Sequence, residues 1–124
     1  MRLLVVDDDP GVRGVLVDLL TLSGHAASEA SGASEALALL QTKQFDAVLL
    51  DHLMPDMTGV ELFEKLQALG IDVPVGFVTG SRGHPDIVRL QDQGIPVLFK
   101  PFPPSEFRSL LDRLQAPRLG VSSK

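Results

Sequence analysis

Apolar residues along this chain form two kinds of pattern, and segments of one kind follow segments of the other. Four short apolar runs show no alternation with polar residues, which is typical of strands buried on both faces of a parallel sheet. These runs are residues 3–6, 47–50, 75–78 and 97–99. Between them, apolar residues recur every three or four positions, as on the buried side of an amphipathic helix. Residues 25–30, rich in alanine and serine, give the weakest strand prediction, and an edge position in the sheet would tolerate it.

Residues that favour helix ends mark the limits of five predicted helices. The first begins at Asp9-Pro10, an N-cap followed by proline, and ends before Gly24. The other four contain residues 33–40, 62–69, 85–93 and 107–114. Strands and helices therefore alternate five times with short links. This order predicts an α/β fold with a parallel sheet and right-handed crossovers.

Length and composition narrow the kind of protein. The chain has 124 residues, enough for one domain, which we place at residues 1–115, with 116–124 as a tail or linker. A net charge of −5 and no cluster of Lys or Arg argue against a nucleic-acid surface. The chain has no cysteine, which excludes disulfides and thiolate sites. The first apolar run is too short for a signal peptide or membrane span, so we expect a soluble cytoplasmic domain.

Residues whose side chains could bind a ligand or take part in a reaction follow four of the predicted strands. The first strand ends in Asp7 and Asp8, the third in Asp51, the fourth in Thr79 and the fifth in Lys100. The carboxyl ends of parallel strands form the edge at which open α/β sheets place their ligands. We therefore expect these side chains to converge on one pocket.

Three converging carboxylates repel one another, and each would titrate higher than it would alone. A divalent cation resolves the conflict. Mg²⁺ fits best, because it takes a few carboxylates plus water and leaves room for phosphate oxygens. The sequence thus predicts a magnesium site formed by the three aspartates.

Other polar residues have simpler interpretations. Asp9 and Asp56 are better explained as cap or turn residues, the commonest role of a lone Asp after a strand. His25 and His84 are expected in turns or on the surface, and His52 only as a neighbour of the pocket. We do not expect the histidines to form a metal site.

The residues at the strand ends resemble those of the receiver domain of two-component response regulators. The matching motifs are Val-Val-Asp-Asp at 5–8, Leu-Leu-Asp-His-Leu-Met-Pro-Asp-Met-Thr-Gly at 49–59, Val-Thr-Gly at 78–80 and Phe-Lys-Pro-Phe at 99–102. The resemblance runs from Arg2 to about Leu114. It implies a doubly wound, flavodoxin-like (CheY-like) sheet of five parallel strands in the order 2-1-3-4-5.

The resemblance also implies a role for each site residue. Asp51 would accept a phosphoryl group from a histidine kinase or histidine phosphotransfer protein. Asp8, Asp51 and the backbone carbonyl of Leu53 would ligate Mg²⁺, with Asp7 acting largely through water. Lys100 and Thr79 would contact the phosphoryl oxygens.

Such a domain is a signalling module that catalyses its own phosphorylation and dephosphorylation rather than an enzyme. Its output would pass through the face formed by the fourth helix, fifth strand and fifth helix, to an effector domain or downstream protein. We further expect a cis Lys100-Pro101 bond. One position departs from the family pattern, because Val97 replaces an aromatic residue whose rotamer reports phosphorylation.

Three other functions compete with this interpretation. An aspartate-nucleophile phosphatase needs a second acid two residues after the nucleophile, where this chain has Leu53. A flavodoxin needs a Ser/Thr/Gly-rich phosphate loop after the first strand, where this chain has residues 7–9, all aspartate. A degenerate receiver would serve only as a protein-interaction module, and the complete set of acids argues against it.

Overall fold

A computed structural model describes residues 1–116. Strands and helices alternate along the chain as predicted. Their bounds are β1 Arg2–Val6, α1 Pro10–Leu22, β2 Ala26–Ala30, α2 Ala33–Thr42, β3 Ala47–Leu50, α3 Gly59–Ala68, β4 Val75–Thr79, α4 Pro85–Asp92, β5 Val97–Phe99 and α5 Pro104–Gln115. The predicted tail lies outside the described residues except for Ala116.

The five strands form one parallel sheet in the order β2-β1-β3-β4-β5. This confirms the predicted fold class and strand order, and it places the weakly apolar β2 at an edge. Only one residue of β2, Ala30, is buried, whereas all residues of β3 and β4 are. The sequence difference between edge and centre thus follows from burial on one face or on both.

Successive residues of each strand enter two separate cores, because side chains alternate across a sheet. One core contains Leu4, Val6, Val48, Leu50 and Phe77 and is covered by α2, α3 and α4. The opposite core is formed by alternate strand residues and by buried residues of α1 and α5. Its strand members are Leu3, Val5, Ala47, Leu49, Val78 and Leu98.

The strand register brings the carboxyl ends of the central strands into line. Val6 lies beside Leu50 in the sheet, and Thr79 lies beside Phe99. Backbone bonds extend this alignment by one residue, since Asp51 N donates to Val6 O and Lys100 N to Thr79 O, both at 2.9 Å. The residues that follow these strands are therefore held at one edge.

Asp56 acts as a helix cap, as predicted, but for a helix earlier in the chain. The N-cap of α2 is Gly32, which has no side chain to accept a hydrogen bond. Asp56 supplies the acceptors, taking N–H bonds from Ala33 at 3.2 Å and Ser34 at 2.9 Å. The loop after β3 is thereby tied to the start of α2.

Replacing Asp56 with alanine should lower the free energy of unfolding by about 1 kcal/mol, the usual value of an N-cap. The backbone N–H groups of Ser34 and Ala33 lower the pKa of Asp56. A carboxylate with a lowered folded-state pKa stabilises the fold above its unfolded pKa, and that contribution disappears as pH falls through the folded value. Urea unfolding should therefore show a difference at neutral pH that shrinks in acid. Asp18→Ala, at an exposed position in α1, is the control. An equal loss in both variants would contradict the capping role.

Candidate functional site

Three of the predicted site residues make direct contact at the carboxyl edge of the sheet. Lys100 Nζ lies 3.2 Å from Asp7 Oδ2 and 3.7 Å from Asp51 Oδ2. Carboxylate oxygens of Asp7, Asp8 and Asp51 all lie within 4.8 Å of one another. Asp7 and Asp51 are buried, with 1% and 8% exposed, whereas Asp8 is exposed. The structure thus brings together the acids and the base that the sequence predicted.

The chain after β1 holds the Asp7 carboxylate in place. Asp7 Oδ1 accepts the Asp9 N–H at 2.9 Å, and Asp9 in turn caps α1 through the N–H groups of Gly11 and Val12. The Arg13 guanidinium donates to the Asp7 carbonyl at 2.7 Å. These contacts fix one carboxylate oxygen of Asp7 and leave the other facing Lys100.

The carboxyl group of Asp51 has a raised pKa. Burial raises the pKa of its carboxyl group, and the nearby charge of Asp7 raises it further. The Lys100 charge, the His52 N–H and the Thr79 side chain act in the opposite direction without cancelling the shift. The two buried carboxylates, which lie within 4 Å of Lys100, and the exposed carboxylate of Asp8 form an oxygen donor set that fits Mg²⁺.

Of the remaining predicted site residues, Thr79 lies beside the Asp51 carboxylate. Thr79 ends β4 and is buried, and its hydroxyl oxygen accepts the Ser81 N–H at 3.1 Å. The Lys100-Pro101 bond is cis, as predicted. Leu53 lies two residues after Asp51 with 56% of its surface exposed. That its backbone carbonyl ligates Mg²⁺ stays a prediction.

Gly59 is required by the close approach of α3 to the backbone of Asp51. Its N–H donates to the His52 carbonyl at 2.6 Å. A Cβ atom at this position would overlap the Asp51 carbonyl oxygen. The loop after β3, residues 51–58, is therefore packed directly against the first turn of α3.

A Gly59→Ala substitution should destabilise the protein by roughly 1–3 kcal/mol, the usual cost of forcing an extra group into a packed site. Gly14→Ala is the matched control, because a Cβ at Gly14 in α1 meets no atom within 4 Å. That control should be neutral or stabilising, since alanine favours a helix interior over glycine. Urea unfolding measures both variants. Equal stability of Gly59→Ala and the wild type would contradict the close approach.

Two of the three histidines lie together in the structure, and the expectation that the histidines form no metal site stays a prediction. His25 lies apart, but His52 and His84 meet edge to face with ring centroids 4.7 Å apart. His52 Nε2 lies 4.0 Å from Asp86 Oδ2, and the three residues form a possible ligand group. Sequence reasoning missed this cluster because residues 52 and 84 follow different strands and neither lies in a recognised ligand motif.

Histidine 84 is also more than the turn or surface residue that we predicted. Its Nδ1 atom accepts the Asp86 N–H at 3.2 Å, so His84 is the N-cap of α4. Burial lowers the pKa of His52, and the neighbouring His84 lowers it further. A second polar cluster therefore lies next to the carboxylate pocket.

The surroundings of Val97 show an aromatic contact at another position. Arg82, in the loop between β4 and α4, places its guanidinium carbon 4.2 Å from the centre of the Phe99 ring. Phe99 and Val97 both pack against the core covered by α2, α3 and α4. The loop after Thr79 is thus in contact with an aromatic ring of β5.

Comparison with known proteins gives one consistent family. The family described as "Response regulator receiver domain" matches residues 3–112. Response regulator MprA of Mycolicibacterium vanbaalenii is 37% identical over 117 residues, which cover 94% of this chain and 49% of that protein. Transcriptional regulatory protein GlrR of Escherichia coli is 35% identical over 94 residues, 76% of this chain and 21% of that protein. The chain thus spans half or less of the length of these curated relatives.

Solved structures agree with the sequence comparison. The non-phosphorylated HemR receiver domain of Leptospira biflexa matches with a TM-score of 0.82 and 32% identity, covering 94% of this chain and 96% of that one. Response regulator TrrA of Thermotoga maritima, in complex with Mg²⁺ and beryllofluoride, gives 0.81 and 26%, covering 91% and 97%. Among the described residues, no helix is both long and apolar enough to cross a membrane.

Proposed function

The chain belongs to the response regulator receiver domain family, and from that premise we propose that Asp51 accepts a phosphoryl group from a phosphohistidine donor. The observation that carries the proposal is the grouping of three aspartates and one lysine at the carboxyl edge of the sheet. Asp7, Asp8 and Asp51 share one pocket, and Lys100 lies within 4 Å of two of them. The family model and the relatives support a two-component signalling role, in which a histidine kinase or histidine phosphotransfer protein supplies the phosphoryl group.

The proposed reaction uses Asp51 as the nucleophile. A carboxylate oxygen attacks phosphorus, the P–N bond of the phosphohistidine breaks, and its electron pair stays on the imidazole nitrogen. The product is an acyl phosphate. Burial and the Asp7 charge raise the pKa of Asp51, and a cation that balances the charge would favour the ionised carboxylate, which is the form that attacks phosphorus.

Asp8, Asp51 and the Leu53 carbonyl would hold Mg²⁺ directly, with Asp7 acting through water. When bound, Mg²⁺ supplies positive charge that offsets the carboxylate repulsion and the charge on the phosphoryl oxygens. Lys100 already faces both buried acids, so its ammonium would move little to reach a phosphoryl oxygen on Asp51. Thr79 would donate its hydroxyl hydrogen to another phosphoryl oxygen and move the loop after β4 inward.

The proposed output surface is the face formed by α4, β5 and α5. It would contact an effector domain or a downstream protein. We propose that phosphorylation and the transmission of the signal both take place in the cytoplasm, without direct contact of this domain with nucleic acid or membrane. The net charge of −5 supports the absence of a nucleic-acid surface. The protein would act as a switch that catalyses its own phosphorylation and dephosphorylation, rather than as an enzyme for a separate substrate.

Incubation of the purified chain with acetyl phosphate and Mg²⁺ tests the proposal without knowledge of the kinase. Intact mass spectrometry should show the addition of one phosphoryl group. A degenerate receiver, the alternative function, would gain none. The close grouping of the three acids and the contact of Lys100 with two of them support the active form.

Val97 should weaken the link between the pocket and the output face. Valine cannot swing a ring inward, and its χ1 angle is stiff, so the two states should differ less in packing. Beryllofluoride should therefore shift NMR signals of residues 79–84 strongly and those of α4, β5 and α5 weakly. A Val97→Tyr variant should enlarge the response of the outer face. An unchanged response in that variant would contradict the role assigned to this position.

A further inference from the structure

The His52 side chain is buried, and one of its ring nitrogens lacks a hydrogen-bond partner among the described residues. The residue is 0% exposed, and among residues 1–116 no hydrogen-bond partner reaches its Nε2 atom. Buried polar atoms in native proteins almost always have a partner. The nearest charged group to Nε2 is the Asp86 carboxylate, whose oxygen lies 4.0 Å away, beyond hydrogen-bond distance. The space between these atoms is therefore a candidate ligand position.

The residues around that position are typical transition-metal ligands. His52 follows β3, His84 caps α4, and Asp86 lies in the first turn of α4. One ligand atom from each residue lies within 4.8 Å of the other two. Tetrahedral Zn²⁺ with N and O ligands at about 2.0–2.2 Å needs ligand atoms roughly 3.3 Å apart. The 4.0 Å between His52 Nε2 and Asp86 Oδ2 exceeds that separation, so binding would require the two partly exposed side chains, His84 and Asp86, to move toward the buried His52.

We propose that His52, His84 and Asp86 form a transition-metal site for Zn²⁺ or a similar imidazole-binding ion, separate from the three-aspartate pocket. The two sites differ in chemistry, because imidazole favours zinc, copper and nickel whereas Mg²⁺ prefers oxygen ligands. Three protein ligands leave a fourth position open to water. The site is thus a reversible binding site rather than a closed structural centre.

Binding of an ion would break two hydrogen bonds, and this loss lowers the affinity of the site. His52 Nδ1 accepts the Val60 N–H at 3.4 Å, and His84 Nδ1 accepts the Asp86 N–H at 3.2 Å. When His52 binds a cation through Nε2, its proton must lie on Nδ1, so the long contact with Val60 would be given up. The contact of His84 Nδ1 with the Asp86 N–H would be lost as well, whether that nitrogen binds the ion or carries the proton. We therefore expect weaker binding than at a closed structural zinc site, accompanied by a change of histidine tautomer.

The position of the site links it to the proposed phosphorylation, and this consequence rests on the proposed function. A bound ion would join the residue after Asp51 to the start of α4. The loop between Thr79 and His84, which we expect to move on phosphorylation, lies between these anchors in the chain. Zinc would therefore hold this loop in place and reduce the spread of the phosphorylation signal to α4.

Binding is tested directly on the full chain without a polyhistidine tag. Titration with Zn²⁺ in competition with a chromophoric chelator, in the presence of excess Mg²⁺, should show one site. Histidine ¹⁵N NMR should show the proton of His52 on Nδ1 in the zinc form. His84→Ala and Asp86→Asn should each lower the affinity by at least about tenfold, and His25→Ala should leave it unchanged.

Two results would overturn the metal site. One is the absence of zinc binding above that of the His84→Ala variant. The other is a zinc site that is lost in Asp8→Asn but retained in His84→Ala and Asp86→Asn, which would place the ion in the aspartate pocket. Circular dichroism of each variant establishes that its fold is intact. The titration contains no phosphoryl donor, so its failure would leave the proposed function of Asp51 untouched.

Discussion

An Asp51→Asn variant incubated with acetyl phosphate and Mg²⁺ should gain no phosphoryl group, whereas the wild-type chain should gain one. The amide has no anionic oxygen that could attack phosphorus. Its shape and its acceptor oxygen are retained, so the bond from the His52 N–H, now 2.8 Å to Asp51 Oδ1, can still form. The loss should therefore come from chemistry rather than from unfolding.

The same substitution should leave the fold intact or make it more stable. Burial and Asp7 raise the pKa of Asp51, which means that the ionised carboxylate opposes folding at neutral pH. Asparagine removes that charge. Asp56→Asn is the control, because Asp56 is an exposed cap in the same loop and should not affect phosphorylation. Intact mass measures all three proteins, and full phosphorylation of Asp51→Asn would contradict the assignment.

Removal of Mg²⁺ should slow phosphorylation by acetyl phosphate by roughly two orders of magnitude or more, since metal charge at a transferring phosphoryl group is worth several kcal/mol. Without the ion, an anionic donor must approach three carboxylates, and among residues 1–116 the one cation that pairs with them is Lys100. The time course of phosphoryl addition, measured by intact mass with EDTA and then with restored Mg²⁺, gives the effect.

An Asp8→Asn variant separates metal binding from general charge effects. Asp8 is the exposed member of the acid group, so its replacement should cost little stability while weakening Mg²⁺ binding. Higher Mg²⁺ concentrations should partly restore its rate. Rapid phosphorylation of the wild type in EDTA would contradict the proposed metal requirement.

Local sequence patterns were sufficient to predict most of this fold. Unbroken apolar runs located the central strands, because a strand buried on both faces leaves no polar position. The order of strand-end residues predicted the pocket, since parallel strands present their carboxyl ends at one edge. Asp7, Asp51 and Lys100 are indeed in contact there.

Features that depend on distant contacts could not be predicted in the same way. Asp56 looked like a local cap, but its acceptors serve α2, more than twenty residues earlier in the chain. His52 and His84 come together only because the loops after β3 and β4 leave adjacent strands. No periodicity or short motif encodes such a contact, which depends on the lengths and paths of both loops.

The chemical position of the phosphoryl group tests the central claim most directly. The wild-type chain would be phosphorylated with acetyl phosphate and Mg²⁺ and then reduced with borohydride, which converts an aspartyl phosphate to homoserine. Tandem mass spectrometry of the digested protein should find homoserine at position 51 alone. Homoserine at Asp7 or Asp8, or a phosphoryl group on His52 or His84 with Asp51 unmodified, would contradict the account.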